Sequence, residues 1–332
     1  MRTDVGVQLI LPHFTNYRMV GRDLDSLRLE CRPVSGSDYE ADPSRFNDRE
    51  WIGATYRVDD EIYALVHNEY QGHTHSGRCP SGVYRRCWYN AITLALSSDG
   101  GRSYEHSAPP SHVVASLPVP YTPDGGTMGL FSPSNIVRNA SDEYFYAMVF
   151  VTGAEDRPRG TCLMRTRDVG QPSSWRAWDG DDFTVAFANP YERDLDDPSE
   201  HFCSPVSRNE ISEMRESLTY NTYLKKFLLV GLSGAPDRET GRNVWGIYYS
   251  VSENLIDWSP RTLLMKAETV NTFRCGDADP IAYPSVIDPD SRSPNFETSD
   301  RRAYLYFTQF HYSSCKQGPD RDLRRVPVEF SK

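Results

Sequence analysis

The stretch IGATYRVDDEIYALVHNEY, residues 52–70, has the pattern of a β-hairpin. An extended segment from 52 to 58 leads into Asp59 and Asp60, and a run rich in aromatic and branched residues returns from 62 to 70. Asp is common in turns because its carboxylate hydrogen-bonds to nearby backbone N–H groups. The stretch therefore predicts two antiparallel strands joined by a short turn.

The same hairpin pattern occurs three more times along the chain, with paired segments at 133–138 and 144–152, 217–221 and 227–233, and 281–287 and 303–311. A further strand is predicted after each of the four hairpins, at 90–96, 161–166, 244–250 and 323–330. Two N-terminal strand regions, Val5–Leu11 and Tyr17–Glu30, add a fifth unit. Repetition of one antiparallel unit is typical of β-propellers.

The composition favours strands over helices. Hydrophobic residues make up 38% of the 332 residues, and 20 Tyr, 14 Phe and 6 Trp must supply much of the core. The one helix candidate, 208–215, is short. We predict a single all-β domain over residues 1–332, a five-bladed β-propeller closed by pairing of the N- and C-terminal strands, with four blades as the alternative.

Charge and hydropathy restrict the partners. The net charge of −10 and the pI near 5.3 oppose binding to a phosphate backbone or to an anionic membrane surface. The sequence also lacks an apolar run of the ~20 residues that a membrane-spanning helix needs. We therefore expect neither nucleic acid nor membrane as a partner.

Seven cysteines are present, with no CxxC pair, which argues against a zinc site of the usual spacing. Cys79 and Cys87 bracket one polar loop, and Cys275 and Cys315 flank a second segment. Disulfides formed in an oxidising compartment are one interpretation, and small buried apolar side chains are the other. The location stays open, with an extracellular or periplasmic location favoured.

The turns after the first three of these later strands resemble a known family feature. Residues 97–104, SSDGGRSY, look like an Asp-box, the Ser-x-Asp-x-Gly-x-Thr-Trp turn of sialidases and related propellers. The turns at 167–175 and 250–258 resemble those of the five-bladed superfamily of arabinanases, xylosidases and fructan-acting enzymes. We expect Asp99 and Trp258 to serve the scaffold, because the carboxylate caps its own turn and the ring packs between sheets.

Acidic residues mark the predicted strand ends. In a propeller, the starts of first strands and the ends of second strands share one face. Cleavage of a glycosidic bond needs two carboxyl groups, roughly 5–9.5 Å apart. Acids at first-strand starts are Asp48, Glu50, Glu213, Glu216, Asp277 and Asp279, and Glu69 lies near a second-strand end.

The family resemblance implies roles for these acids. In the superfamily a base, a pKa-modulating Asp and an acid come from successive blades, and residues 215–218 (RESL) resemble the segment that carries its acid. We assign Glu216 as general acid, Asp48 or Glu50 as base and Asp279 as orienter. Glu69 is the substitute for any of them.

Polar side chains near the same predicted face suggest sugar recognition. His73 and His75 are two residues apart and could both bind a metal ion. A sugar-recognition strand is the preferred interpretation, so we assign no metal ligands. We assign no cofactor, and a structural or site calcium ion is left as an alternative. The residues predicted to bind substrate are His67, Asn68, His73, Trp88, Asn135, Arg215, Gln309 and His311.

The favoured function is a glycoside hydrolase that acts on a poly- or oligosaccharide with paired carboxylates. One alternative is a propeller polysaccharide lyase, in which His or Tyr removes a proton and Arg neutralises a uronate; its residues would be His67, His73, Tyr70 and Arg85. The other is a non-catalytic carbohydrate-binding propeller. A sialidase is less favoured, since its three arginines and its Tyr and Glu cannot be placed at the predicted strand starts.

Overall fold

The computed structural model describes residues 1–4, 6–153, 158–192, 195–237 and 239–332. These residues form two compact units, Met1–Val206 and Ser207–Lys332. They contain 22 strands and one α-helix, Arg208–Ile211, which is too short to cross a membrane. Five 3-10 helices are also described: Pro43–Arg45, Gly72–Thr74, Tyr84–Arg86, Pro172–Ser174 and Pro198–His201.

The first unit holds three antiparallel meanders. The first is a separate four-stranded sheet, β1 Arg2–Thr3, β2 Gly6–Leu11, β3 Thr15–Gly21 and β4 Arg28–Gly36. The second comprises β5 Arg49–Val58, β6 Glu61–Gln71, β7 Cys87–Ser97, β8 Glu105–His106 and β9 Val113–Ala115. The third comprises β10 Gly126–Phe131, β11 Val137–Arg138, β12 Phe145–Thr152, β13 Gly160–Thr166 and β14 Arg176–Ala177. Parallel pairing of β7 with β10 joins the second and third meanders into one sheet.

The second unit holds two further meanders. One comprises β15 Ser217–Asn221, β16 Lys226–Pro236, β17 Asn243–Ser252 and β18 Thr262–Lys266, with β20 Thr298–Ser299 beside β15. The other comprises β19 Ile281–Ile287, β21 Arg302–Ser313 and β22 Lys316–Glu329. Each unit has its own buried apolar clusters, which include Trp175 and Leu65 in the first and Ile247 and Leu305 in the second.

The predicted all-β class and three of the four hairpins are confirmed, as are all four later strands. In the remaining hairpin, only Val137–Arg138 of the predicted 133–138 strand is regular. The Ser134 hydroxyl accepts the Met148 N–H at 2.9 Å, so a side chain replaces a strand carbonyl there. Strand β10 was not predicted at all.

Three further expectations differ in detail. The region 17–30 is two strands, β3 and β4, because the Asp23 carboxylate accepts N–H groups from Asp25 and Ser26 and stabilises a turn. The helix predicted at 208–215 ends at Ile211. Val5, the first residue of the 5–11 strand, lies outside the described residues.

The terminal strands pair with their own neighbours, β1 with β2 and β22 with β21. The pairing predicted between the two ends of the chain is not among the strand pairs of the described residues. Ring closure by these strands is therefore not part of the described sheet topology.

The expected scaffold role of Asp99 rests on its hydrogen bonds. Its Oδ1 accepts the N–H groups of Arg102 and Ser103 at 2.9 and 3.0 Å, and its Oδ2 accepts the Ser103 hydroxyl at 2.8 Å. Burial opposes ionisation, but the hydrogen bonds from Ser103, Ser97 and Arg102 lower the pKa of Asp99 to about 2. The carboxylate therefore caps its own turn, and Tyr104 and Trp258 are buried.

Three disulfides are present in the described residues. Cys79–Cys87 and Cys275–Cys315 join the cysteines for which the sequence left disulfides and buried thiols as alternatives, and Cys162–Cys203 joins residues 41 apart that the sequence did not single out. Cys31 is exposed and free. Because the sulfurs of Cys79 and Cys87 are bonded to each other, their proximity to Asp124 does not make a metal site.

Candidate functional site

The register of β5, β6 and β7 brings polar side chains together on one face of the first unit. Arg49 lies opposite Glu69, and Glu69 lies opposite Asn90. Side chains two residues apart on a strand point to the same face. The same face therefore also carries His67, Gln71 and Trp88.

Glu69 is the buried carboxyl group of this face. Its Oε2 accepts hydrogen bonds from Gln71 Nε2 at 2.9 Å and from the Tyr84 hydroxyl at 3.2 Å. Burial raises the pKa of Glu69 to about 7, although these donors, Trp88 and the Arg49 charge oppose the rise. Near neutral pH, a fraction of the molecules therefore carries a proton on this group.

His67 lies beside the Glu69 carboxyl group in a defined tautomer. Asn90 donates from Nδ2 to the Met128 carbonyl at 3.2 Å, so its Oδ1 is the acceptor for His67 Nε2 at 2.9 Å. The proton of the neutral imidazole then sits on Nε2. His67 Nδ1 lies 3.7 Å from Glu69 Oε1.

A chain of aromatic rings borders Glu69, and we call it the aromatic rim. Successive ring centroids are 4.8–6.0 Å apart. Such rings offer flat apolar faces and lower the local dielectric constant, which is consistent with the raised pKa of Glu69. In order, the rim consists of Phe14, Trp51, His67, Phe131, Trp88, Tyr84 and His73.

Asp48, predicted as a base, is already engaged by three groups. It is 1% exposed, and its Oδ1 lies 2.6 Å from Arg49 Nη1. Its Oδ2 accepts the Gln71 N–H at 2.8 Å and lies 3.0 Å from His75 Nε2. This carboxylate therefore holds the start of β5 to the end of β6, which suits a positioning residue.

Glu50 and Asn68 lie on the opposite face of the sheet from Glu69. They form the cross-strand pair next to Arg49 and Glu69, and successive pairs alternate between the two faces. Glu50 is 3% exposed, and His106 Nε2 lies 3.9 Å from its Oε2. Burial, with a smaller effect of the Asp38 charge, raises the pKa of Glu50 to about 8. Asn135, between β10 and β11, is partly exposed, and its carbonyl accepts the Ser134 hydroxyl.

In the second unit, Glu216 immediately precedes β15. Its Oε2 accepts the N–H of Arg215 at 3.0 Å, and its Oε1 accepts the N–H of Leu232 at 3.3 Å. The carboxylate lies over Gly231, where a Cβ atom would collide with Oε2. The guanidinium of Arg215 donates to the Glu213 carbonyl at 3.0 Å.

Asp279 and His311 are in contact in the second unit. His311 Nδ1 lies 2.8 Å from Asp279 Oδ2, and His311 Nε2 lies 3.4 Å from Asp322 Oδ2. Hydrogen bonds to Asp279 and then to Asp322 raise the pKa of His311. Gln309 lies opposite Asp322 on β22. A first-strand start and a second-strand end therefore meet here, as the sequence predicted.

Several residues of the Glu69 face were missed in the sequence. Alternation along β6 already places Gln71 beside Glu69 and His67, and it is the signal that could have found this residue. Tyr84 begins the 3-10 helix Tyr84–Arg86, and Phe14 lies in the turn between β2 and β3, so no local pattern indicates them. Arg49 depends on the register of β5, which contains a bulge near Gly53.

No family model and no curated protein matches this sequence. The structure is similar to a thermostable family-43 glycoside hydrolase, with a TM-score of 0.55, 11% identity and coverage of 100% of this chain and 88% of that chain. It is also similar to the α-L-arabinanase of Cellvibrio cellulosa in complex with arabinohexaose, with a TM-score of 0.53, 10% identity and coverage of 100% and 94%.

A third similar structure is the xylan β-1,4-xylosidase of Bacillus halodurans, with a TM-score of 0.52, 10% identity and coverage of 100% of this chain and 52% of that chain. The arabinanases and xylosidases among these structures are five-bladed β-propeller glycoside hydrolases. At about 10% identity the likeness shows the fold, so this chain has the all-β fold of β-propeller hydrolases.

Proposed function

We propose that the chain is a glycoside hydrolase acting on an oligo- or polysaccharide, with Glu69 as its proton donor. The observation that carries this proposal is the buried Glu69 carboxyl group, whose pKa burial raises to about 7. A carboxyl group with such a pKa retains its proton close to neutral pH and can deliver it to the leaving glycosidic oxygen.

The surroundings of Glu69 support a sugar as the ligand. The aromatic rim offers rings on which the apolar face of a sugar can stack. The amide of Gln71 and the imidazole of His67 provide hydrogen-bonding groups beside them. The similarity in fold to an arabinanase solved with arabinohexaose supports the same ligand class.

A glycosidase needs a second carboxyl group. Asp48 is engaged by Arg49, Gln71 and His75, and Glu50 lies on the other face of its sheet, so neither is proposed. Glu216 and Asp279, assigned as acid and orienter from the sequence, lie in the second unit and stay predictions, each tested by its own alanine variant. If Glu216 or Asp279 is the second carboxyl group, azide should restore turnover of its alanine variant and produce a glycosyl azide. The alanine variant of the other residue should give no glycosyl azide.

The role of Glu69 is tested by Glu69→Gln, which keeps the shape and removes the proton donor. We expect kcat on an oligosaccharide to fall by about 10²–10⁴-fold. A dinitrophenyl glycoside should lose much less, because its leaving group needs no proton. Glu50→Gln is the matched control, a second buried Glu with a raised pKa. Equal losses in the two variants would contradict the assignment.

A polysaccharide lyase is the second candidate, and His73 is the observation that favours it. Burial lowers the pKa of His73, so its imidazole is neutral and able to accept a proton, and its ring lies 5.1 Å from that of Tyr84. Tyr70 is a weaker candidate, because its hydroxyl donates to the Ala41 carbonyl. A lyase product absorbs ultraviolet light as an unsaturated sugar, and a hydrolase product does not.

The five antiparallel meanders, three in the first unit and two in the second, support a five-bladed propeller over a four-bladed one.

A non-catalytic binding protein would bind oligosaccharides without turnover. Calorimetry of Glu69→Gln together with product analysis of the unaltered protein separates binding from catalysis. A crystal structure with an oligosaccharide bound would count the blades directly.

A further inference from the structure

Tyr39, in the segment between β4 and β5, has an unusual backbone conformation. Its φ is +57°, a region that side chains other than Gly, Asn and Asp rarely adopt. The Tyr39 N–H donates to the Asp48 carbonyl at 2.8 Å, and the Glu40 N–H donates to the Asn47 carbonyl at 3.2 Å. These hydrogen bonds hold the segment against the start of β5. Strained backbone of this kind is concentrated at functional sites.

The Tyr39 ring is fixed on one side and open on the other. The Arg49 guanidinium carbon lies 5.1 Å from the ring centroid, so a cation–π contact supports one face. Arg49 is itself buried, lies 5.8 Å from the centroid of Phe14 and is paired with Asp48. Tyr39 is nevertheless 50% exposed. The Tyr39 ring is therefore exposed to solvent and supported from below by the buried ion pair of Arg49 and Asp48.

Tyr39 adjoins the candidate site through Arg49. Arg49 is the cross-strand neighbour of Glu69 and contacts Phe14 of the aromatic rim. Tyr39 is thus separated from Glu69 by one side chain, and its ring extends the line of aromatic surfaces beyond the carboxyl group.

We infer that Tyr39 is the platform of a sugar-binding subsite next to Glu69, on which the apolar C–H face of one ring of an oligosaccharide stacks. This inference rests on the proposed function. It defines the substrate as a chain of at least two sugars and not a single glycoside, and Tyr39 as a residue that determines specificity.

The test measures binding in the Glu69→Gln background, where turnover is suppressed. Isothermal titration with arabino- and xylo-oligosaccharides of one to six sugars supplies the probes. Tyr39→Ala is expected to weaken binding of the longer saccharides by about tenfold and to leave the monosaccharide unchanged. Tyr39→Phe should retain most of the affinity, because the flat ring makes the contact.

Leu29→Ala is the matched control, because Leu29 is an equally exposed apolar side chain on β4. If Tyr39→Ala does not fold, Tyr39→Leu keeps apolar bulk over Arg49 without a flat ring and should show the same loss. The inference is overturned if Tyr39→Ala or Tyr39→Leu binds every saccharide as Leu29→Ala does, or if no saccharide binds.

The subsite and the proposed function fail in different ways. If saccharides bind in a Tyr39-dependent manner but the unaltered protein does not cleave them, the subsite stands and the hydrolase proposal fails. If the protein cleaves oligosaccharides and the Tyr39 variants have unchanged KM and kcat, the hydrolase stands and the subsite fails.

Discussion

The pKa of Glu69 results from two opposing effects on one side chain. Burial favours the neutral carboxylic acid, and the donors Gln71, Tyr84 and Trp88 favour the carboxylate. A proton donor must be protonated to act, so the proposed activity is present below the pKa of Glu69 and is lost as the pH rises through it. Each donor is therefore a means of moving the basic limb of the pH profile.

Tyr84→Phe tests this balance at a single residue. The substitution removes a hydrogen bond that favours the ionised carboxylate, so the pKa of Glu69 should rise. We expect the basic limb of kcat/KM to move up by about 0.5–1 pH unit, since one such hydrogen bond is worth ~1 kcal/mol. The measurement is kcat/KM on one oligosaccharide over the neutral and alkaline range.

The control for this shift is Tyr63→Phe, which removes a hydroxyl bonded to Glu61 instead. Its pH profile should match that of the unaltered protein. A downward shift in Tyr84→Phe, or equal shifts in the two variants, would show that Tyr84 does not act through the Glu69 carboxylate.

Among the larger elements, the segment between β6 and β7 supplies Tyr84 and ends next to Trp88. The Cys79–Cys87 disulfide closes it, and hydrogen bonds from Tyr121 to the Arg78 carbonyl and from Thr127 to the Arg85 carbonyl attach it to its surroundings. These bonds fix the segment, and the Tyr84 hydroxyl on its 3-10 helix donates to the Glu69 carboxyl group.

Replacing both Cys79 and Cys87 by Ala should lower the free energy of unfolding by about 2–3 kcal/mol, the loop-closure value for eight residues. Urea denaturation measures this change. Activity should fall as well, because Tyr84 and Trp88 lose their fixed positions beside Glu69. Cys31→Ala, at the exposed free cysteine, should change neither. An unaltered activity in the double variant would mean that the disulfide does not position this loop.

The regular elements followed from local sequence where hydrogen bonding was local. The hairpin at 52–70 has a two-residue turn between alternating strands, and its strands form as predicted. The segment at 133–138 is a regular strand only at its end, because the Ser134 hydroxyl accepts the Met148 N–H in place of a backbone carbonyl, although the Ser134 N–H still donates to the Met148 carbonyl. The short strand β10 pairs in parallel with β7, and parallel pairing has no turn signal in the sequence.

At the scale of the whole molecule, the net charge of −10 affects which saccharides bind. A neutral oligosaccharide has no long-range interaction with this charge, whereas a uronate-containing chain is repelled. We expect kcat/KM on a neutral oligosaccharide to be nearly independent of salt. Binding of a polyuronate should strengthen with salt, because added ions screen the repulsion.

Steady-state kinetics and titrations over a range of sodium chloride concentrations check this expectation. The hydrolase proposal favours the neutral substrate at every salt concentration. Tight polyuronate binding at low salt would indicate a local cationic site strong enough to overcome the net charge, and it would favour the lyase instead.

The sequence alone determined the hairpin at 52–70 and which residues of β6 share a face. His67, Glu69 and Gln71 follow from alternation, which is a local property of an extended chain. The partners of Glu69 on β5 could not be derived in this way. The turn pairs Val58 with Glu61, and continuing that register unchanged would put Glu50 opposite Glu69.

The tertiary structure reverses that assignment. A bulge at Gly53 shifts the register by one residue, so Arg49 lies opposite Glu69 and Glu50 faces the other side of the sheet. Gly53 packs against Pro133, and a Cβ atom there would lie 2.8 Å from the proline ring. Because side chains alternate with a period of two, a one-residue shift moves the side chains on the far side of the bulge from the turn, residues 49–52, to the opposite face. The contact between Gly53 and Pro133, 80 residues apart, thus lies at the bulge that places Arg49, and not Glu50, opposite Glu69.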